Sequence, residues 1–339
     1  MEDTRILSYV PLSSPADVKL RIPRTKEAAK FVQESRAAVV RILNGEDADH
    51  KLCIVGPCSV HDPAAVLEYC EMLTKAVSVW GTHLRVLVRL YFQKPRTTGG
   101  WTGYLDDPGL NATFDARQGI LECRALMRDV TNLGLGICTE FVGTTVEPQY
   151  LSDFVTVACI GARTTESQVH RQLASGLSCP VGFKNGSDGS TKVCLDAMEF
   201  CSKPQGFVGV DPSGTPAAVK TSGNSDTFVI LRGSYKNGSN IHKAGELCKE
   251  GHAVVVDCAH GNSGKTLAGQ ARAFREAMGY LDCIKGIMLE SFLVEGTQKV
   301  AAVRGMSITD PCLGMRDTLI LLEEFENAAA GRILRKKLK

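Results

Sequence analysis

The chain has 339 residues, of which 44% are hydrophobic, and it carries 39 basic against 37 acidic side chains. This length and composition can bury a large core, while a formal charge of +2 gives none of the strongly basic field that nucleic-acid or membrane-surface binding requires. No apolar run reaches the roughly 18 residues that can span a bilayer. We therefore expect no nucleic-acid partner and no membrane contact.

The cysteines predict a reducing compartment. The chain has 13 of them, dispersed between Cys53 and Cys312 without a C-x-x-C pair. An odd, scattered set is typical of reduced thiols packed in a core rather than of a disulfide framework. The first residues, MEDTRILSYV, do not show the basic segment and apolar run of a secretory signal. The expected location is the cytoplasm.

The N-terminal region precedes the repeating part of the chain. Residues 1–24 contain three prolines and are predicted to form an arm outside the main fold. Thr25 is a candidate N-cap, and the segment after it has apolar residues at helical spacing up to Gly45, a candidate C-cap. We therefore predict a separate unit of residues 1–45, made of an arm and one helix.

Short apolar runs alternate with helical segments through the rest of the chain. The runs are apolar on both faces, as parallel strands covered on both sides are. Eight such strands alternating with helices over about 250 residues predict an α/β fold, a (β/α)8 TIM barrel, for residues 46–339. The runs cover 52–56, 85–91, 135–141, 155–162, 180–184, 228–232, 253–257 and 284–289.

Two features refine this fold class. The runs 206–210 and 217–222 flank the turn sequence DPSGTP, so we predict a β-hairpin at about residues 206–222, inserted between two barrel units. An open doubly wound sheet would show the same alternation. However, no G-x-G-x-x-G follows the first strand to favour a dinucleotide-binding fold.

Reactive residues follow several of the predicted strands. The carboxyl ends of barrel strands meet at one face, where the active sites of such barrels lie. A thiol, an imidazole and two carboxylates there suit a divalent transition metal better than a structural zinc. Alone, each would more often be a packing or surface residue, but their recurrence at strand ends favours an active site. These residues are Cys58, His260, Glu290 and Asp310.

Six basic residues are expected at the same mouth. Like charges repel one another unless anions neutralise them. Phosphates and carboxylates are the anions that arginine forks and lysine ammonium groups bind, so a substrate with such groups is predicted. The six are Arg89, Lys94, Arg96, Arg163, Lys184 and Arg232.

The sequence resembles the class I 3-deoxy-D-arabino-heptulosonate 7-phosphate (DAHP) synthases, in the branch that includes feedback-regulated bacterial and fungal enzymes. The resemblance covers nearly the whole chain from about Thr25 to Asp317. The stretches that carry it are GPCSVHD (56–62), KPRTTGGWTG (94–103), GARTTESQVHRQLASGLSCPVGFKNGSDG (161–189), ILRG (230–233), ESFLVEG (290–296) and SITDPC (307–312).

This resemblance implies the condensation of phosphoenolpyruvate with erythrose 4-phosphate and water to give DAHP and phosphate. That reaction opens the shikimate pathway to chorismate and the aromatic amino acids. One divalent ion per subunit is implied, Mn²⁺ before Fe²⁺, Co²⁺ or Zn²⁺. Two alternatives remain. One is the related synthase that uses arabinose 5-phosphate, which usually has a K-x-N-R-S motif where this chain has KPRT. The other is a catalytically inactive barrel that senses a metabolite.

Residue roles follow from the same resemblance, motif by motif. The implied metal ligands are Cys58, His260, Glu290 and Asp310, and the implied phosphoenolpyruvate residues are Arg89, Lys94, Glu140, Arg163, Lys184 and Arg232. Arg96 and Thr97 match the residues that hold the phosphate of erythrose 4-phosphate, and Lys94, Cys58 and His260 are the implied catalytic residues. One departure is DCAHGN (257–262), where the family commonly has D-x-S-H-A-N around the metal-binding histidine.

Regulation is implied by the parts outside the barrel. The arm and the hairpin resemble the elements that form an aromatic amino-acid effector site in related enzymes, with Ser178, Phe207 and Gly209 as the implied effector residues. Relatives that sense tyrosine tend to carry glycine at the position of Gly209, so tyrosine is the preferred inhibitor. Such an arm usually acts across a subunit interface, and a homodimer or homotetramer is therefore expected.

Overall fold

Eight parallel strands close into a barrel in the computed structural model, which describes residues 2–80, 83–143 and 146–337. The strands of the chain are β1 (Lys51–Gly56), β2 (Leu84–Arg89), β3 (Gly136–Glu140), β4 (Val155–Ile160), β5 (Val181–Lys184), β6 (Gln205–Val210), β7 (Pro216–Thr221), β8 (Thr227–Leu231), β9 (Val254–Asp257), β10 (Gly286–Glu290), β11 (Val294–Thr297) and β12 (Met306–Ser307). Around the barrel the order is β1-β2-β3-β4-β5-β8-β9-β10, and β10 pairs with β1. The predicted TIM barrel is confirmed.

Helices follow the strands and cover the outside of the barrel. They are α1 (Pro15–Arg21), α2 (Lys26–Asn44), α3 (Pro63–Trp80), α4 (Ala116–Asn132), α5 (Glu147–Leu151), α6 (Gln168–Ser175), α7 (Lys192–Cys201), α8 (Ala244–Lys249), α9 (His260–Ser263), α10 (Leu267–Met278) and α11 (Met315–Lys337). Within the described residues, none of these helices combines the length and the apolar character needed to cross a membrane.

The barrel strands are buried on both faces, which explains their continuous apolar runs. One hydrophobic cluster fills the inside of the barrel, and a larger one lies between the strands and the outer helices. Helix α2 contributes Val39, Ile42 and Leu43 to the inner cluster. All eight strands run in the same direction, so their amino termini lie at one end of the barrel. Helix α2 closes that end and leaves the carboxyl end for the site.

The predicted hairpin is confirmed as a separate two-stranded sheet. Strands β6 and β7 pair antiparallel, with Gly209 opposite Ala217. The hairpin leaves the barrel closed, because β5 and β8, on either side of it in sequence, pair directly. A further small sheet, β11 with β12, was not predicted. Its strands follow β10 and lead into the loop that carries Asp310.

The arm contains a helix that the sequence analysis did not predict, because the prolines there suggested an irregular segment. Helix α1 begins directly after Ser14, whose side chain accepts a hydrogen bond from the backbone N–H of Asp17. Pro15 occupies the first helical position, where its fixed φ and missing N–H are favourable. The backbone N–H of Ala16 donates to the carbonyl of Pro212 in the hairpin turn at 2.9 Å. The arm and the hairpin are therefore in direct contact within one chain.

Arg124 of α4 joins the arm to the body of the protein. Its Nε donates to the carbonyl of Ile22 at 2.9 Å, and Nη1 donates to the carbonyl of Tyr150 at 2.7 Å. The guanidinium also makes a two-bond contact with the carboxylate of Asp153, at 2.7 and 3.0 Å. The side chain is almost completely buried. Its removal would leave several buried acceptors without a donor.

Arg124→Ala is expected to lower the free energy of unfolding by about 3 kcal/mol, because a half-buried carboxylate and two carbonyls lose their partner. Urea unfolding followed by circular dichroism would measure this change. Arg128→Ala is the matched control on the same helix. Its half-exposed guanidinium contacts the neighbouring Asp129, so a change of under about 0.5 kcal/mol is expected. Equal losses in the two variants would contradict the anchoring role of Arg124.

Candidate active site

A cavity of about 270 Å³ opens at the carboxyl ends of the barrel strands. Most residues predicted for the site line it, so the loops after the strands bring these side chains to one cavity. Cys58, Arg89 and Glu290 are instead buried and do not line the cavity. The lining residues that the sequence predicted are Lys94, Arg96, Thr97, Glu140, Arg163, Lys184, Arg232, His260 and Asp310.

Three of the four predicted metal ligands form a compact donor group. The thiol of Cys58 and carboxylate oxygens of Glu290 and Asp310 all lie within 4.8 Å of one another. His260 lies outside this group, with Nε2 3.7 Å from Oε1 of Glu290. One sulfur, one imidazole nitrogen and carboxylate oxygens fit a divalent transition metal. The residues present therefore suit the ion that the sequence predicted.

The surroundings of Cys58 show how such a centre is held. Lys94 Nζ lies 3.2 Å from the Cys58 sulfur and donates to the Cys58 carbonyl at 3.1 Å. The backbone N–H of Asp310 lies 3.4 Å from the same sulfur. Burial and the nearby Glu290 raise the pKa of the Cys58 thiol. Binding of a cation favours the thiolate, so metal binding at this residue is expected to release a proton.

Asp257 lies behind His260. Its Oδ2 lies 2.9 Å from Nδ1 of His260, but the two atoms are not aligned as a hydrogen bond. The same Oδ2 lies 3.5 Å from Nζ of Lys184. Burial acts to raise the pKa of Asp257, but His260 and Lys184 outweigh it and hold that pKa well below its usual value. A carboxylate behind a metal-ligating histidine commonly fixes the ring and increases its basicity. Asp257 is placed for that role.

Gly261 stands where the family pattern has alanine, and the structure leaves no room for a side chain there. A Cβ at this position would lie 2.5 Å from the backbone nitrogen of Ser234, in the loop after β8. The absence of a side chain lets the loops after β8 and β9 touch. Arg232, at the end of β8, and His260, at the start of α9, consequently line the same cavity.

Three lysine and arginine side chains of the site are neutralised within the protein. Carboxylates of the barrel mouth pair with two of the six cations that the sequence predicted, Arg89 and Lys184, and with Lys265. The pairs are Arg89 with Glu290 at 2.7 Å, Lys184 with Glu140 at 3.3 Å and Lys265 with Asp310 at 2.9 Å. The remaining cations are therefore the ones that an external anion is expected to neutralise.

Arg96, Arg163 and Arg232 are those remaining arginines. Among the residues that the structure describes, no carboxylate oxygen lies within 4.0 Å of their guanidinium groups. Arg96 Nε donates to the carbonyl of Gly99 at 3.1 Å, and Arg163 Nε donates to the hydroxyl of Thr97 at 3.1 Å. Three guanidinium groups without an anionic partner, around one cavity, form a site for phosphate or carboxylate.

Some residues of the cavity wall were missed by the sequence analysis. Lys265 neutralises Asp310, and Tyr235 contacts Arg163 and Arg232. Asp257 was visible as the last residue of a strand, so its role could have been suggested. Nothing in the sequence marks Tyr235 or Lys265, because their contacts join different loops.

The predicted effector residues lie away from this cavity. Ser178 and Phe207 line a second cavity of about 600 Å³ next to the hairpin. Gly209 does not line it. However, Gly209 lies two positions after Phe207 in β6, on the same face of the strand. By the direction of the flanking strands, this cavity lies towards the amino-terminal end of the barrel.

Comparison with known proteins gives one consistent family. The model of the DAHP synthetase I family matches residues 22–323. The Phe-sensitive phospho-2-dehydro-3-deoxyheptonate aldolase of Escherichia coli is 41% identical over 98% of this chain and 98% of its own. The Trp-sensitive aldolase of that organism is 39% identical over 98% and 99% of the two chains. The solved structure of the aldolase from Francisella tularensis has a TM-score of 0.92 at 36% identity, over 96% of this chain and 98% of its own.

Asp257→Asn is expected to weaken Mn²⁺ binding about 10- to 100-fold, because the amide no longer supplies the negative charge behind His260. Calorimetric titration of the metal-free protein would measure the dissociation constant. Asp226→Asn is the matched control, since this exposed aspartate precedes β8 at the opposite end of the barrel. Unchanged Mn²⁺ affinity in Asp257→Asn would remove Asp257 from the metal centre.

Proposed function

The chain belongs to the DAHP synthetase I family and has DAHP synthase activity, and we propose which of its residues carry that activity out. The reaction condenses phosphoenolpyruvate with erythrose 4-phosphate, at the start of the route to the aromatic amino acids. One observation carries the assignment of the site. A donor group that suits a divalent metal lies beside three arginines without carboxylate partners, around one cavity.

The phosphoenolpyruvate subsite is proposed at the inner part of the cavity. Arg163 and Arg232 supply guanidinium forks for its phosphate, and Lys94 and Lys184 lie deeper, near Glu140. Burial acts to raise the pKa of Glu140, but Lys184 and Lys94 outweigh it and lower that pKa. Glu140 is thus ionised and holds Lys184 in place. Arg89, buried against Glu290, supports this group from behind.

The erythrose 4-phosphate subsite is proposed at the rim. Arg96 and Thr97 are exposed there, where a phosphate can enter from solvent. The hydrogen bond from Arg163 to Thr97 joins the two subsites. Holding two anionic substrates side by side converts a bimolecular encounter into a positioned reaction. Because both substrates are anions, the cations also offset the repulsion between them.

The proposed metal ligands are Cys58, His260, Glu290 and Asp310. The ion, when bound, supplies Lewis acidity that polarises the aldehyde carbonyl. Burial alone would lower the pKa of Lys94, but Cys58 and Glu290 raise it above its usual value. Lys94 is therefore a protonated group next to the reacting carbons. Carbon 3 of phosphoenolpyruvate attacks the aldehyde carbon, water adds at carbon 2, and phosphate leaves by C–O cleavage. Lys94 can donate a proton to the new alkoxide or anchor the substrate carboxylate.

Several finer features are part of the proposal. We place Mn²⁺ first among the candidate ions, with Fe²⁺, Co²⁺ and Zn²⁺ as alternatives. A cytoplasmic location is supported by the cysteines, since all 13 lie in the described residues and none forms a disulfide. The sister reaction with arabinose 5-phosphate is not favoured, because KPRT (94–97) is the motif of DAHP synthases. The sensor alternative is also not favoured, because every predicted ligand and cation is present.

Residues 1–45 are proposed to act in oligomerisation and regulation, beside a catalytic barrel of residues 46–339. In the single chain the arm exposes apolar side chains, among them Leu7, Tyr9 and Val10. Contiguous exposed apolar groups of this kind mark protein contacts. We therefore propose a homodimer or homotetramer in which the arm lies against another subunit.

An aromatic amino acid is the proposed feedback inhibitor. Two relatives in Escherichia coli are named for sensitivity to Phe and to Trp, and the cavity lined by Ser178 and Phe207 is its proposed site here. Tyrosine is preferred over phenylalanine because relatives that sense tyrosine tend to carry glycine at the position of Gly209, which lies on the same strand face as Phe207.

Turnover should require both the metal and the proposed sugar phosphate. Loss of the ultraviolet absorbance of phosphoenolpyruvate would be followed after chelator treatment and then after Mn²⁺ addition. Activity should vanish with the chelator, return with Mn²⁺ and be absent with arabinose 5-phosphate. Cys58→Ser should lower metal-restored activity about 1,000-fold, since loss of a ligand costs several kcal/mol of transition-state stabilisation.

Cys283→Ser is the matched control for that substitution. Cys283 is a half-buried thiol in the loop before β10, at the opposite end of the barrel. It should retain wild-type activity. A well-folded wild-type protein without turnover on either sugar phosphate would overturn the proposed function.

Gly209→Ser is expected to move inhibitor preference from tyrosine towards phenylalanine, because relatives that sense phenylalanine tend to carry serine at this position. Inhibition curves with tyrosine, phenylalanine and tryptophan would measure it. The ratio of half-inhibitory concentrations should shift about tenfold, the effect of one polar contact or one steric conflict. Val208→Ser, on the exposed opposite face of β6, is the control. An unchanged ratio in Gly209→Ser would exclude Gly209 as the selecting residue.

A further inference from the structure

Tyr235 lies in the loop after β8 and contacts two of the unpaired arginines. Its ring centroid is 4.5 Å from the guanidinium carbon of Arg232. Its hydroxyl accepts a hydrogen bond from Nη2 of Arg163 at 3.4 Å. Nζ of Lys265 lies 5.6 Å from the same ring centroid. One aromatic side chain therefore faces three cations at the wall of the catalytic cavity.

Arg232 depends on this ring. The arginine is 2% exposed, and a buried guanidinium without compensation is costly. Among the described residues no carboxylate lies within 4.0 Å of it, and its side-chain hydrogen bond is a 3.4 Å contact to the carbonyl of Gly233. The face of an aromatic ring attracts a cation electrostatically, most strongly where water is excluded. Tyr235 therefore provides part of the compensation that Arg232 lacks.

The kind of compensation matters for binding. Arg89 is equally buried, but its partner is the carboxylate of Glu290. A carboxylate next to Arg232 would compete with an incoming phosphate for the same N–H donors. A neutral ring holds the guanidinium plane by stacking and leaves its edge donors available. Arg232 can thus be held in place and remain open to an anion.

The position of Tyr235 is fixed by a defined turn. The backbone N–H of Ser234 donates to the carbonyl of Gly238 at 2.8 Å, and the reverse bond measures 3.1 Å. The hydroxyl of Ser234 accepts from the backbone N–H groups of Lys236 and Asn237, both at 3.1 Å. Gly261 lets this turn lie against the loop that carries His260. These hydrogen bonds therefore fix the backbone that carries the Tyr235 ring.

We propose that Tyr235 is a positioning residue that holds Arg163 and Arg232 as a pair for the phosphate of phosphoenolpyruvate. This inference rests on the proposed function and deepens it. The ring orients Arg232 by stacking, and the hydroxyl orients Arg163 by hydrogen bonding. Tyr235 acts through the two arginines.

Two substitutions separate the ring from the hydroxyl. Tyr235→Ala removes both contacts and should raise the KM for phosphoenolpyruvate about fivefold, the effect of losing a cation–π contact whose ring is half-exposed. Tyr235→Phe keeps the ring and should raise it only about twofold, because a 3.4 Å hydrogen bond is weak. The kcat and the KM for erythrose 4-phosphate should stay within about twofold in both variants, because a contact made equally in the ground and transition states changes KM alone.

A binding measurement and a control complete the test. Calorimetric titration of the Mn²⁺-loaded protein with phosphoenolpyruvate should show the same order of affinity, wild type above Tyr235→Phe above Tyr235→Ala. Lys236→Ala changes an exposed neighbour in the same turn and should match the wild type in both assays. A general disturbance of the turn would appear in this control.

Three results would overturn the role of Tyr235. They are an unchanged phosphoenolpyruvate affinity in Tyr235→Ala, an equal rise in the KM of both substrates, and a loss in Tyr235→Phe as large as that in Tyr235→Ala. Failure of the proposed function would look different. In that case the wild type would show no turnover, while calorimetric comparison of the variants would still decide whether Tyr235 organises an anion site.

Discussion

The buried ion pair between Arg89 and Glu290 is the constraint on which the rest of the site depends. Arg89 ends β2 and Glu290 ends β10, and both strands pair with β1. Their 2.7 Å contact therefore spans the end of β1. Gly56 stands at that end, where a Cβ would lie 2.7 Å from the carbonyl oxygen of Arg89. The three strand ends can approach one another only because this residue has no side chain.

The charged residues of the site fall into two sets, an inner set close to this ion pair and an outer set further from it. The inner cations, such as Arg89 and Lys184, are paired with Glu290 and Asp257, carboxylates at or beside the proposed metal ligands. Breaking one such pair would leave a buried charge uncompensated. The outer arginines have no carboxylate partner among the described residues. The inner ion pairs thus hold the site in a fixed arrangement, and the outer arginines remain available to bind substrate anions.

The sequence alone predicted the barrel and most of the cavity wall, for a physical reason. Parallel strands covered on both faces need continuous apolar runs, so the polar residue that ends each run, such as Lys184 or Arg232, is conspicuous. Partners that join different loops leave no such trace. The pairing of Lys265 with Asp310 and the stacking of Tyr235 on Arg232 are of this kind. The arm helix was missed because Pro15 was taken as an interruption, although proline suits a first helical position.

The hairpin has a consequence for how this protein can diverge. It is inserted between β5 and β8, which pair with each other as if the insertion were absent. It enters at the amino-terminal ends of the strands, whereas Lys184 and the residue after β8, Arg232, stand at the carboxyl ends. Substitutions in the hairpin therefore reach no catalytic side chain directly. Under the proposed assignment of the inhibitor site, substitutions in the hairpin can change the inhibitor response while the residues at the carboxyl ends of the strands stay the same.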